Sequence, residues 1–310
     1  MRFTRLFYSV KPLVPRSVQI ALRRGLARRQ RKAFADVWPI DARAAVPPAD
    51  WAGWPSGKKF SLVLTHDVET EKGVRACRPL MELERELGFR SSFNFVPERY
   101  AVPADLRREL EDGGFEVGVH GLMHDGKLYD SRAVFKSRAA RINGYLRDWK
   151  AVGFRSPSMQ HNLDWIHDLA IQYDLSTFDV DPFEPQSDGM GTVFPFYRPA
   201  PHPGGHSYVE MPYTLPQDFT LFVILQEKTP AVWTEKTDWI ASHGGMVLVN
   251  VHPDYMAFGK GKHGSEEYPA SLYAEFLRHV TLRHEESVWH VLPRAAAAHV
   301  RVGKESRQDA

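Results

Sequence analysis

From Phe60 onward the chain alternates between two hydrophobic periods. Short apolar runs rich in β-branched and aromatic residues read as strands: FSLVLT (60–65), SSFNFV (91–96), FEVGV (115–119), GFR (153–155), LSTFDV (175–180), MVLVNV (246–251) and SVWHV (287–291). Between them lie helical stretches. VRACRPLMELEREL comes first, then PADLRRELEDGG with Pro at its start and Gly at its end, then DSRAVFKSRAARINGYLRDW behind an Asp cap. NLDWIHDLAIQY and YPASLYAEFLRHVTLRHEE follow. Strand and helix in regular alternation predict a parallel sheet, open or closed into a barrel. Residues 181–216, rich in Pro, Gly and aromatics, break the rhythm and read as one long loop insertion.

Ahead of this body, AAVPPADWAGWPSGKK (44–59) reads as a linker, and residues 1–35 form a basic arm. Ten Lys and Arg lie in those 35 positions with no Asp or Glu, so a chain of net charge +2 has a body of −8. From about Ser17 the arm reads as a helix, with Val18, Leu22 and Leu26 four residues apart. Two roles suit it: a helix docked on the acidic body, or a peripheral anchor on anionic lipid. No aromatic platforms alternate with its arginines, so a nucleic-acid partner is not expected. Lys11, Pro12 and Pro15 interrupt the one candidate apolar core of a secretory signal. The expected location is cytoplasmic, at most peripheral on the inner membrane face. The expected divisions are 1–57 for arm and linker, 58–300 for the α/β domain, and 301–310 for a tail. The single cysteine, Cys77, excludes an intrachain disulfide and a Cys-rich metal site.

Parallel α/β folds carry their chemistry at the carboxyl ends of the strands, so polar residues just past each strand are the candidates. His66, Asp67 and Glu69 follow the first, His120 and His124 the third, and Arg155 ends the fourth. Asp179 and Asp181 end the fifth; His252 and Asp254 follow the sixth. His120 and His124 can face one metal ion from a compact turn. His202 and His206 share that spacing but lie in the insertion, away from any strand end. Two imidazoles need a carboxylate ligand, and a hydrolytic site also needs a second carboxylate to take a proton from water. Asp67 and Glu69, two apart at a strand end, point the same way and offer both. There is no Gly-x-Ser-x-Gly elbow, P-loop or Gly-x-Gly-x-x-Gly, so serine-nucleophile and nucleotide chemistry lack their residues.

Five stretches occur in order: Thr65-His66-Asp67-Val68-Glu69, His120-Gly121-Leu122-Met123-His124, Arg155-Ser156-Pro157, Asp181-Pro182-Phe183-Glu184 and Val249-Asn250-Val251-His252. Together they resemble the signatures T-F-D-D, H-[ST]-x-x-H, R-x-P-x-G, D-x-x-D-W and L-x-x-H of the polysaccharide deacetylase family, the NodB-homology or carbohydrate esterase family 4 group. The likeness spans roughly residues 58–295 and leaves the basic arm outside. It implies a distorted (β/α)7-8 barrel, TIM-like, to which the N-terminal basic helical arm is an addition. It also implies a divalent metal, zinc first, with cobalt, manganese or nickel as alternatives. By the same resemblance His120 and His124 are metal ligands, Asp67 is the general base and Arg155 positions that base. His252 is the general acid and Asp181 orients it, while Pro157 and Asp254 line the substrate. Val68 replaces the family's second Asp, which moves the carboxylate ligand to Glu69, as in the D-x-D variant of the motif. His66 replaces a Phe, Met159 a Gly, and the Trp near Asp181 is missing. The implied reaction is metal-dependent removal of an N-acetyl group from a carbohydrate. Hydrolysis of a small-molecule amide, such as a cyclic ureide or imide, is the alternative, and a silent carbohydrate-binding barrel is a third.

Overall fold

The computed structural model describes residues 15–49, 51–259, 261 and 263–308, with side chains to 303. The basic residues Arg2, Arg5 and Lys11 lie outside the described residues. Eight helices are named here: α1 (Arg16–Ala33), α2 (Glu71–Glu86), α3 (Ala104–Asp112), α4 (Arg132–Trp149), α5 (Leu163–Ile166), α6 (Ala231–His243), α7 (Ala270–His284) and α8 (Pro293–Gln308). The main sheet contains β1 (Phe60–Val68), β2 (Ser92–Phe95), β3 (Glu116–His120), β4 (Gly153–Arg155), β5 (Tyr173–Asp174), β6 (Phe196–Arg198), β7 (Tyr208–Glu210), β8 (Met246–Val251) and, last, β11 (Val288–His290). β9 (Met256–Ala257) and β10 (Tyr268–Pro269) pair separately.

The main sheet is parallel except where β6 meets β7. β1 runs beside β8 along one edge, and its other edge is shared by β11 at the start and β2 at the end. From β2 the order continues through β3, β4, β5 and β7. The curl is drawn together just past β7, where the Thr214 and Leu215 amides donate to the Leu248 carbonyl of β8. The architecture is therefore a distorted barrel wrapped by helices, as expected.

Alternation along these strands sorts the side chains by parity. Phe60, Leu62 and Leu64 of β1 point out to the helix layer, as do Phe93 and Phe95 of β2, Val117 and Val119 of β3, and Val247, Val249 and Val251 of β8. Val63, Leu248, Tyr173 and Val209 fill the interior, and Ala296, Ala297 and Val300 of α8 plug it from one end. Continuing the same parity, Asp67, Asn94, His120, Arg155 and Asn250 also point inward, at the opposite, carboxyl end.

Several local readings change. The stretch 175–180 is not a ladder strand: pairing is at Tyr173–Asp174 and survives later only as a bridge between Phe178 and Tyr213. The region 181–216 is no mere loop, since it supplies β6 and β7. Helix in 162–173 is limited to α5, and the cap of α4 is Ser131 rather than Asp130. The linker-like stretch is anchored, with Ala44 and Trp54 buried and the Trp54 indole donating to the Gly244 carbonyl. Helix α1 lies on the body by Ile20 and Ala27, so Val18, Leu22 and Leu26 face outward.

Candidate active site

Asp67 is the hub of the inward-pointing set. Its Oδ1 accepts from Asn94 Nδ2 and Arg155 Nη1, each at 3.1 Å, and its Oδ2 from Asn250 Nδ2 at 2.9 Å. Arg155 is fully buried and its Nη1 also donates to Thr65 Oγ1 and Asn250 Oδ1, while Nε donates to the Leu175 carbonyl. Burial alone would push the Asp67 carboxyl up; the charges on Arg155 and His252 and the Asn94 hydrogen bond reverse this and hold it well below the ordinary range. Gly118 makes room for this contact, because a Cβ there would sit 2.1 Å from Asn94 Oδ1.

Glu69, His120 and His124 each bring one ligand atom into a group whose members lie within 4.8 Å of one another. His120 donates from Nδ1 to the Arg155 carbonyl, 3.1 Å away, which leaves Nε2 as the free lone pair. Burial, more than any neighbour, lowers its pKa to about 4, so the ring is neutral and fit to ligate. The chain turns His124 back toward His120 through Gly121 at φ +62° and through His124 itself at φ +52°. Gly121 is required twice over, since a Cβ there would also lie 2.4 Å from Pro157 Cγ. His124 Nε2 is 2.9 Å from Glu69 Oε1, yet it is buried without a hydrogen bond of acceptable geometry. An orphaned imidazole nitrogen facing a carboxylate oxygen, beside a second free imidazole lone pair, is a donor set that fits a divalent cation such as zinc. The Tyr255 hydroxyl donates to Glu69 Oε2 at 3.1 Å and orients the carboxylate.

His252 is on the same inner parity of β8. Its Nδ1 lies 2.6 Å from Asp218 Oδ1, and its backbone amide donates to Asp218 Oδ2 at 2.8 Å. Tyr268 also donates to Oδ2. Burial pushes the imidazole down, but the Asp218 charge and hydrogen bond outweigh it and raise the pKa to about 10. This overturns the expected role of Asp181. Its carboxylate accepts from the Tyr213 hydroxyl and the Phe183 amide, and Asp218 is what holds His252. Asp218 lies far from the strand end in sequence, in a π-helical region around Phe219–Ile224; the signal that could have found it is an isolated acid among apolar residues, PQDFTLFVI.

Other candidates have structural work. Asp254 is buried and accepts from the Glu69 amide and the Thr70 hydroxyl, fixing the turn into α2 rather than lining a substrate. Pro157 is buried against Gly121 and likewise serves the turn. His66 takes the outward parity and pairs with Glu84 of α2 at 2.9 Å. Asp179 is locked to buried Lys236 at 2.6 Å. His202 and His206 do not come together with any metal-binding group among the described residues. A second His/Asp group, Asp238, His279 and His284, lies on the outer helices, where Arg283 already neutralises the carboxylate at 3.0 Å.

No protein-family model matches the chain, and no curated protein matches it. Solved structures do. The chain is similar to an assigned polysaccharide deacetylase from Mycobacterium smegmatis, at 19% identity and a TM-score of 0.64, with 84% of this chain and 96% of that one covered. It is similar to the allantoinase PuuE at 15% and 0.61, covering 84% and 97%. It is also similar to an assigned polysaccharide deacetylase from Pseudomonas aeruginosa at 14% and 0.60, covering 82% and 94%. The chain thus has the fold shared by these polysaccharide deacetylases and the allantoinase.

Proposed function

We propose that this chain, with its NodB-homology deacetylase fold, is a divalent-metal-dependent hydrolase that removes the N-acetyl group from an N-acetylated sugar, within a glycan or on a glycan precursor. The observation that carries the reading is the convergence, at one barrel mouth, of the Glu69–His120–His124 group with an ionised Asp67 and a protonated His252. When bound, the cation would polarise the amide carbonyl and acidify the attacking water. Asp67, ionised throughout the neutral range, accepts the proton that water gives up. Arg155, Asn94 and Asn250 fix the direction of its lone pairs. His252 stands as the imidazolium, because Asp218 stabilises it, and gives its proton to the nitrogen as the C–N bond breaks. The amine then leaves neutral beside acetic acid, and return of the Asp67 proton to His252 restores both groups, which balances the hydrolysis.

Similarity of fold to an allantoinase keeps a second reading in view: the same machinery opening a cyclic ureide or imide. Met159 in place of Gly and the missing Trp near Asp181 favour it, as departures from the carbohydrate-deacetylase signatures. Val68, in place of the family's second Asp, suits a silent carbohydrate-binding barrel, but Glu69 supports the enzymatic readings by bringing a carboxylate to the histidines. The experiment is metal analysis of the purified protein, with acetate release screened over N-acetylated sugars and glycans and ring opening over hydantoins. Asp67→Asn should keep the metal and lose turnover by about 100-fold or more. Failure to hold a divalent metal even after reconstitution would sink both hydrolase readings; retained turnover in Asp67→Asn would remove Asp67 as the base.

A further inference from the structure

Helix α1 is amphipathic twice over. One side is tied to the body by Ile20 and Ala27, by Arg16 to Glu266 and Arg31 to Glu227 at 2.5 Å each, and by Arg24 to the carbonyls of Val223 and Ser265. The opposite side should be polar in a helix that only packs on a domain. Instead it carries Val18, Leu22 and Leu26, exposed by 45%, 65% and 58%. Beside that stripe stand the exposed Arg28, Arg29 and Lys32, which take no part in the ion pairs that fasten the helix. With its inner contacts already made, the helix shows solvent an apolar ridge bordered by cations.

We propose that this outward face of α1 docks the protein on the surface of a bilayer containing anionic lipid. Three observations choose that occupant. The ridge matches the interfacial-helix pattern of apolar residues flanked by Lys and Arg. The charges are of one sign only, with no acid in residues 1–35, where an interface with a protein of mixed charge would present both. The body carries the opposite net charge, −8, so the carboxylates of a second copy would suit the cations but not the apolar Val18, Leu22 and Leu26. The location also fits the chemistry. Arg23 lies over the Phe219 ring, Phe219 packs against Tyr255 with ring centroids 4.6 Å apart, and Tyr255 bonds Glu69. The docking helix is therefore three contacts from the candidate metal ligand, so a surface bound to α1 lies beside the mouth of the barrel. This inference stands on α1 and does not depend on which bond the site hydrolyses.

The test is co-sedimentation of the full chain with phosphatidylcholine vesicles, with and without phosphatidylglycerol, against Leu22→Glu/Leu26→Glu and Arg28→Gln/Arg29→Gln/Lys32→Gln. Both sets of side chains are exposed, so circular dichroism and metal content should be unchanged. Binding to the phosphatidylglycerol vesicles is expected, weakened at high salt, and reduced at least about tenfold by either variant. Equal binding to neutral vesicles, unaltered binding by the Leu22→Glu/Leu26→Glu variant, or no binding at all would overturn the proposal. So would self-association that this variant abolishes in the absence of any vesicle binding. Because the readout is partition and not turnover, its failure leaves the hydrolase reading untouched.

Discussion

Asp218→Asn separates the role of the buried acid from that of a packing residue. In the native site both the His252 amide and the Tyr268 hydroxyl donate to Asp218 Oδ2, while Oδ1 faces His252 Nδ1. An Asn can keep its oxygen at the Oδ2 position and turn its amide toward Nδ1, so shape and two hydrogen bonds survive. The anion does not. Burial already pushes His252 down, and with Asp218 neutral its pKa should return from about 10 toward the ordinary 6.5. That difference corresponds to differential stabilisation of the imidazolium on the order of 5 kcal/mol. The folded pKa lies above the ordinary one, so the pair's contribution to stability is complete below pH 6.5 and is lost as pH rises through about 10. For catalysis, a His252 titrating near 6.5 would be protonated in only about one molecule in four at pH 7 and one in about thirty at pH 8. The assay is the pH–rate profile of kcat for both proteins at matched metal loading. Asp218→Asn should bring the alkaline limb down by more than one pH unit, giving a deficit that grows from pH 6 to pH 8. A deficit constant across pH, or an alkaline limb that does not move, would refute the assignment of His252 as an acid tuned by Asp218.

Two further outcomes follow from neighbouring contacts. Glu69→Ala removes one of three converging ligand groups and should weaken metal binding by about 10-fold or more in a chelator competition, with the apo fold unchanged; unaltered affinity would return that position to solvent. Glu84→Leu strands His66, Ser91 Oγ and the Tyr273 hydroxyl in the outer layer, and should cost about 3–5 kcal/mol in denaturant unfolding while leaving KM and metal content alone. Burial raises the Glu84 carboxyl, but His66 and the hydroxyls lower it below its usual value, so this stabilisation holds above the ordinary carboxylate pKa and fades as the pH falls through the depressed one.

Met246–Val251 and the short Gly153–Arg155 are found where their apolar runs put them, and β1 continues three residues further because His66 and Val68 keep the outward parity among apolar neighbours. The same parity made Asp67 and Glu69 legible as a pair, and the spacing of His120 and His124 made them legible as candidate ligands that come together with Glu69. Legibility stopped where contacts rather than patterns define an element. β6 and β7 are three residues each and hold their place through a sheet whose other members are distant in sequence. The short β5 was displaced in the reading because LSTFDV has the higher β propensity, while the ladder at that point closes on Tyr173–Asp174.

What the sequence by itself determined is the inventory and the order: alternating strands and helices, inward carboxylates and imidazoles at successive strand ends, and a basic helix with no acid. These depend on periodicity and local chemistry, which any single segment carries. Only the tertiary structure decided which acid serves which histidine. Asp218 reaches His252 across 34 residues, whereas Asp181, nearer in motif order, turns to Tyr213. It also decided which side of α1 is covered. Apolar residues lie on two faces of that helix, and the body takes Ile20 and Ala27 because carboxylates and carbonyls around them meet Arg16, Arg24 and Arg31. Hydrogen-bond partners and buried faces are properties of a closed packing, so they exist only once the barrel has formed.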